Sequence, residues 1–243
     1  MPNGTGRGIK ANVMPTKTHT STGPAAEGPD QTRPRLLVAT GVEKSYRRWR
    51  WLSRREVPVL TGADLALAAG EVVGLVGENG SGKTTLMRIL VGDLAADAGT
   101  IVLSGSMGYC PQVPVVYPRL TCDEHFELFG AACGLTLAAQ RDAVRALYTK
   151  LGFERYSSVR ADQLSGGTLA KLNLGLALLA DPDVLLLDEP YAGFDWDTYQ
   201  KFLGLVAERR ARGRSVLIIS HFIADEQLFD RVVKLRDGRT WST

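Results

Sequence analysis

From Leu36 onward, short runs of β-branched and leucine residues alternate with segments whose apolar positions recur at helical spacing. Strands are predicted at residues 37–42, 72–76, 100–103, 107–110, 184–187, 216–220 and 231–235. Strands interleaved with helical stretches of 10 to 15 residues indicate βαβ units and a largely parallel sheet, so the predicted class is α/β. Between Gln112 and Leu179 the strand pattern stops. There, helices are predicted at 121–134, 137–151 and 167–179, the first opened by a capping box of Thr121 and Glu124. A helical insert over about residues 113–179 therefore interrupts an α/β domain over 35–243. A helix is also expected at 85–91.

The first 34 residues read differently. They are rich in Gly, Pro, Ser and Thr and nearly devoid of bulky apolar side chains, too few to offset the entropy of ordering, so a disordered N-terminal extension is expected at 1–34. It lacks the apolar run of a signal peptide. The chain's longest apolar run, residues 174–180, lies between Asn173 and Asp181 and is far shorter than the roughly 20 residues that cross a bilayer. Three cysteines, Cys110, Cys122 and Cys133, form no C-x-x-C pair, which argues against a zinc site and a disulfide framework alike.

The 243 residues suffice for one domain with a good core, and their net charge of +3 is unevenly spread. Residues 1–56 carry 11 Lys/Arg against 4 Asp/Glu, and residues 57–243 carry 18 against 22. A mildly acidic body argues against a nucleic-acid-coating surface, and no nucleic-acid partner is expected. The excess is concentrated in residues 47–55, with five arginines and two tryptophans. A solvated hairpin tip, a contact for anionic lipid headgroups or an acidic partner, and a nucleic-acid contact are the alternatives for this segment, in that order.

The chemistry begins at Gly77-Glu-Asn-Gly-Ser-Gly-Lys-Thr84, which fits G-x-x-x-x-G-K-[ST] between a predicted strand and a predicted helix. Gly77, Gly80 and Gly82 let the backbone wrap a polyphosphate with its N–H groups pointing inward at a helix N-terminus. Lys83 reaches the β and γ phosphates, Thr84 is placed to coordinate Mg²⁺, and Thr85 supports the α-phosphate region. A carboxylate at a strand end is then required, and Val184-Leu-Leu-Leu-Asp188-Glu189 supplies two. Asp188 is assigned to the Mg²⁺ shell, and Glu189 to the water that attacks the γ phosphate. Ser165-Gly166-Gly167, opening a helix, forms a second anion site by the same dipole logic, although one domain has one γ phosphate to hold.

The combination of GENGSGKT (77–84), LSGG (164–167) and LLLDEP (185–190) resembles the nucleotide-binding domain of ATP-binding-cassette (ABC) proteins over about residues 36–240. The resemblance implies a P-loop NTPase parallel-sheet core with an antiparallel β subdomain and the inserted helical subdomain. ATP and Mg²⁺ are the implied cofactors, with Gly77, Asn79, Gly80, Gly82, Lys83, Thr84 and Thr85 around the nucleotide. It implies that Ser165, Gly166 and Gly167 serve the ATP held by another copy, so that two domains close head to tail. By the same resemblance Gln112 contacts the metal and the nucleophilic water, Asp195 lies at the dimer seam, and His221 touches the γ phosphate. Tyr46 resembles the aromatic residue that stacks on adenine; Trp49 or Trp51 in that role, or Tyr46 packed on the sheet, are the alternatives. His125 reads as a solvated or capping residue. Thr168 stands where the family usually has glutamine and Leu176 where it often has arginine, with only Lys171 keeping the usual basic character; together these departures imply an altered helix surface and slower turnover with the ATP chemistry kept.

The segment from Gln112 to Leu135 is similar to the branch whose separate ATPase subunits drive exporters, and no C-terminal regulatory domain is expected. The expected protein is thus an ATPase subunit that dimerises on ATP, pairs with a separate transmembrane permease, and sits at the cytoplasmic face of the membrane. The alternative is a soluble ABC ATPase in macromolecular assembly, such as iron–sulfur cluster assembly.

Overall fold

A computed structural model describes residues 13–14, 33–220 and 228–242 apart from Trp51 and Leu52, with backbone alone at 13–14, 48–50 and 53–55. The expected extension over 1–34 falls almost wholly outside the described residues. Within it β1 (Val13–Met14) pairs antiparallel with the strand at 107–110.

Among the described residues two sheets form. The central one is ordered β1-β6-β7-β8-β4-β9-β10, with β4 (Val72–Val76), β6 (Met107–Cys110), β7 (Val184–Asp188), β8 (Ser215–Ile219), β9 (Arg231–Arg236) and β10 (Arg239–Ser242). The five strands from β6 to β9 in that order are parallel, and β1 and β10 are antiparallel edges. The second sheet, β3-β2-β5, is antiparallel and consists of β2 (Arg35–Arg50), β3 (Ser53–Ala68) and β5 (Ala98–Leu103).

Every residue of β4, β7 and β8 is buried because the central sheet is covered on both faces. Strand alternation sorts the side chains. Leu185, Leu187, Val216 and Ile218 face a core with Phe126, Leu147, Leu151, Leu172 and Phe202 from the helices. Val184, Leu186, Leu217 and Ile219 face the opposite core, with Leu37, Leu65 and Leu67 of the antiparallel sheet and Leu86 and Met87 of α1 (Lys83–Leu90). Each such side chain removed from water contributes about 1.5–3 kcal/mol.

The helical insert has the expected composition: α2 (Cys122–Ala132), α3 (Leu137–Leu151) and α4 (Gly166–Leu178), joined by short 3₁₀ turns. The Thr121–Glu124 capping box is present, with Thr121 N–H donating to Glu124 Oε2 at 2.7 Å and Glu124 N–H to Thr121 Oγ1 at 3.2 Å. Several elements exceed the sequence expectation. The strand expected at 37–42 continues through bulges to Arg50 and pairs with the whole of β3, and α5 (Trp196–Ala211) and β10 add to the expected set.

His125 departs from the expectation of a solvated or capping residue. It is fully buried, its Nε2 accepts from the Tyr117 N–H at 2.8 Å, and its Nδ1 lies 2.7 Å from the Thr121 carbonyl. A carbonyl only accepts, so Nδ1 carries the proton and Nε2 is the acceptor. The imidazole is a buried, neutral bracket between α2 and the segment that follows Gln112.

Candidate functional site

The glycine-rich loop leaves β4 and turns directly into α1. Gly82 caps the helix in the left-handed region at φ 105°, which explains why helix and motif overlap at Lys83 rather than Thr85. A Cβ on Gly77 would stand 2.4 Å from the Leu235 carbonyl oxygen, so only glycine fits there. Lys83 is 6% exposed and its ammonium donates to the Gly77 and Glu78 carbonyls at 2.7 and 3.0 Å, curling the loop around its own lysine. Burial lowers the Lys83 pKa from its ordinary 10.5, while Glu189 and then Asp188 raise it. The two carboxylates therefore lie within electrostatic reach of the ammonium.

Strand order brings them there. β8 lies between β4 and β7, and the C-terminal ends of all three reach one edge of the sheet. Asp188, 1% exposed, is the last residue of β7. Glu189 follows with a left-handed φ of 51°, and its N–H donates to the Ile219 carbonyl at 3.3 Å. Gln112, two residues past β6, donates through Nε2 to Glu189 Oε2 at 3.1 Å. On the other side Tyr46, 38% exposed on β2, places its hydroxyl 3.4 Å from Thr85 Oγ1. Thr84, Asn79 and Gly80 are exposed at the mouth of the loop.

The donor set fits Mg²⁺ bound together with a polyphosphate. Thr84 hydroxyl, Asp188 carboxylate and Gln112 amide oxygen are hard ligands, and Mg²⁺ takes one or two carboxylates and completes its shell with phosphates and water. Among the described residues no group of three or more His, Cys, Asp or Glu is clustered as a metal site.

Ser165, Gly166 and Gly167 stand apart from this group. Ser165 caps α4, and its Oγ accepts from the Thr168 N–H at 3.3 Å. A Cβ on Gly167 would lie 2.7 Å from the Gly193 carbonyl oxygen, so the helix start fits against the loop that leads to Asp195. Asp195 is exposed and caps α5, accepting from the Thr198 N–H at 2.8 Å; Thr198 is the main cause of its lowered pKa. Thr168 corrects the expectation of an altered helix surface. It is buried at 6% exposure, and its hydroxyl lies 3.0 Å from Ser165 Oγ, within the capping network. Sequence reading missed this pairing, although a hydroxyl three residues after a capping serine is its signal. His221, Trp51 and the side chain of Trp49 lie outside the described residues.

A P-loop after β4 with carboxylates at the end of β7, two strands along the same sheet, plus a second glycine-lined helix start, defines an ABC-type ATPase domain. The ABC transporter family model matches residues 60–192, and the chain belongs to that family. It is 36% identical over 211 residues to the Nod factor export ATP-binding protein I of Paraburkholderia xenovorans, covering 82% of this chain and 67% of that protein. It is 33% identical over 217 residues to a mouse ABC-type organic anion transporter, covering 84% of this chain but spanning 13% of that much longer protein. Among solved structures, an ATP-binding subunit of an ABC transporter superposes with a TM-score of 0.76 at 27% identity, covering 85% of this chain and 90% of that one. A dimeric bacterial ABC transporter cassette shares the fold, with a TM-score of 0.74 at 22% identity over 84% of this chain and 96% of that one.

Proposed function

We propose that this chain is the ATP-binding and ATP-hydrolysing subunit of an ABC exporter, closing with a second copy of itself over ATP and driving a separate transmembrane permease from the cytoplasmic face of the membrane. The reading rests on the convergence at one sheet edge of Lys83 and Thr84 after β4 with Asp188 at the end of β7 and Glu189 just past it, the latter bonded to Gln112.

In this reading Tyr46 stacks on adenine, and the amides of the loop containing Gly77, Asn79, Gly80, Gly82 and Thr85 bind the phosphates. Lys83 neutralises charge on the β and γ phosphates. Thr84, Asp188 and Gln112 would hold Mg²⁺, which when bound neutralises the phosphate oxygens. Glu189 accepts a proton from the attacking water while Gln112 orients it. The water oxygen bonds to the γ phosphorus, the bond to the β–γ bridging oxygen breaks, and ADP and phosphate leave. Ser165, Gly166 and Gly167 of the second copy close over the γ phosphate, Asp195 lines the seam, and His221 contacts the γ phosphate. ATP favours the closed dimer, and its hydrolysis reopens it.

Transport is supported by the named relatives, one of which is a Nod factor export ATP-binding protein. No helix among the described residues is long and apolar enough to cross a membrane. In this reading the pore is supplied by a separate permease, as the export branch resemblance implies. Val113 and Val115, 75% and 65% exposed directly after Gln112, give that chain an apolar contact linked to the hydrolytic group. The test is affinity purification from detergent-solubilised native membranes. Recovery of a multi-span partner that raises the ATPase rate supports the reading; recovery of only soluble assembly factors contradicts it.

A further inference from the structure

Asn173 lies within α4 between Leu172 and Leu174, both fully buried, and is itself only 3% exposed. Its Nδ2 donates to the Pro111 carbonyl at 2.8 Å and to Cys110 Sγ at 3.2 Å, while its Oδ1 is buried without a hydrogen-bond partner. The Pro111 carbonyl only accepts, so the amide nitrogen must face it. A leucine of similar size would avoid the desolvation penalty of the buried Oδ1. What a leucine would lose is the bond to Pro111.

That bond falls where the chain leaves the sheet. The pairing of β6 with β7 ends at Cys110 and Leu187, so the Pro111 carbonyl lies one residue beyond the ladder. The next residue is Gln112, whose amide donates to Glu189 Oε2 at 3.1 Å. We infer that Asn173 is a positioning residue for hydrolysis: its amide fixes the Cys110–Pro111 exit of β6 and thereby aims Gln112 at Glu189. This rests on the reading of Glu189 as the base. It extends that reading by linking α4, which begins at the Ser165 cap, through Asn173 and Pro111 to the Gln112–Glu189 pair.

The test measures steady-state ATP turnover and thermal melting for Asn173→Leu, Asn173→Ala, Gln112→Ala and the Asn173→Leu/Gln112→Ala double variant, with Glu189→Gln in parallel. Loss of one aiming hydrogen bond predicts a fall in kcat of about three- to tenfold for Asn173→Leu, with KM for ATP held within about twofold. Because Asn173 acts through Gln112, the double variant should be no slower than Gln112→Ala alone. A purely structural role would lower the melting temperature and leave kcat of the folded fraction unchanged, which overturns the inference, as do multiplicative losses in the double variant. If the leucine variant shows no cooperative melt, Asn173→Ala, which deletes the amide without adding bulk, takes its place with the same expected outcomes. If Glu189→Gln hydrolyses ATP at the wild-type rate, the underlying reading has failed; if it is slow while Asn173→Leu is not, the inference alone has failed.

Discussion

Gln112 and Glu189, 77 residues apart in sequence, are joined by a 3.1 Å hydrogen bond from Nε2 to Oε2. Each follows the end of a different strand of the central sheet. Glu189 is pinned in a left-handed conformation at the end of β7 by its bond to the Ile219 carbonyl, and Gln112 leaves the end of β6 behind a proline. A displacement of the helical insert that follows Gln112 therefore acts directly on the side chain assigned to water activation.

Lys83→Ala removes the one ammonium that curls the loop and, in the proposed complex, faces the β and γ phosphates. A charge-assisted hydrogen bond to phosphate corresponds to about ten- to a hundredfold in affinity. Titration with a fluorescent ATP analogue should show at least that loss; an unchanged dissociation constant would remove the loop from nucleotide binding.

Gly167→Ala forces a Cβ to within 2.7 Å of the Gly193 carbonyl oxygen, so the start of α4 or the loop before Asp195 must shift. Ser165 and Gly167 are assigned to the second copy's ATP, and the loop at 77–85 is built from other elements. Binding of ATP to the single chain should therefore persist while turnover falls by about ten- to a hundredfold, the cost of an ångström-scale misplacement. Parallel equilibrium binding and turnover assays check this, and equal losses in both would contradict the division of roles.

His125 makes stability depend on pH. Burial is the main cause of its lowered pKa, opposed by the Thr121 carbonyl and Glu124, so the folded chain holds it neutral while the unfolded chain titrates near 6.5. Its stabilisation is present above about pH 6.5 and is lost as pH falls below that value toward the folded pKa. Protonation also turns Nε2 from acceptor into donor and breaks the bond from the Tyr117 N–H. His125→Gln should be less stable than wild type by about 1–3 kcal/mol at pH 8, and the gap should narrow toward pH 5.5. Thermal melts at the two pH values measure it; a gap that widens on acidification contradicts the assignment.

The parallel core was legible because β7 and β8 are continuous apolar runs and the 77–84 motif occupies a strand-to-helix turn. What was hidden depends on long-range pairing. Residues 63–68 of β3 read Ala-Asp-Leu-Ala-Leu-Ala, a poor β sequence that becomes strand because β2 pairs along its length. α5 opens with Trp196 and Thr198 rather than strong helix formers, and it is secured by the Asp195 cap and by Phe202 and Val206 packed in the core. Likewise His125 and Thr168 read as surface residues because their partners, the Tyr117 N–H and the Ser165 hydroxyl, satisfy them only in the folded chain.

In the proposed cycle Glu189 drives hydrolysis in a dimer closed by ATP. Glu189→Gln keeps the shape and removes the base, so turnover should fall by at least about tenfold. Light scattering coupled to size exclusion, run on this variant with and without MgATP, reads out the closed dimer. A monomer that becomes a dimer only with MgATP is the predicted result; a variant that stays monomeric with MgATP and hydrolyses it at the wild-type rate would contradict the account.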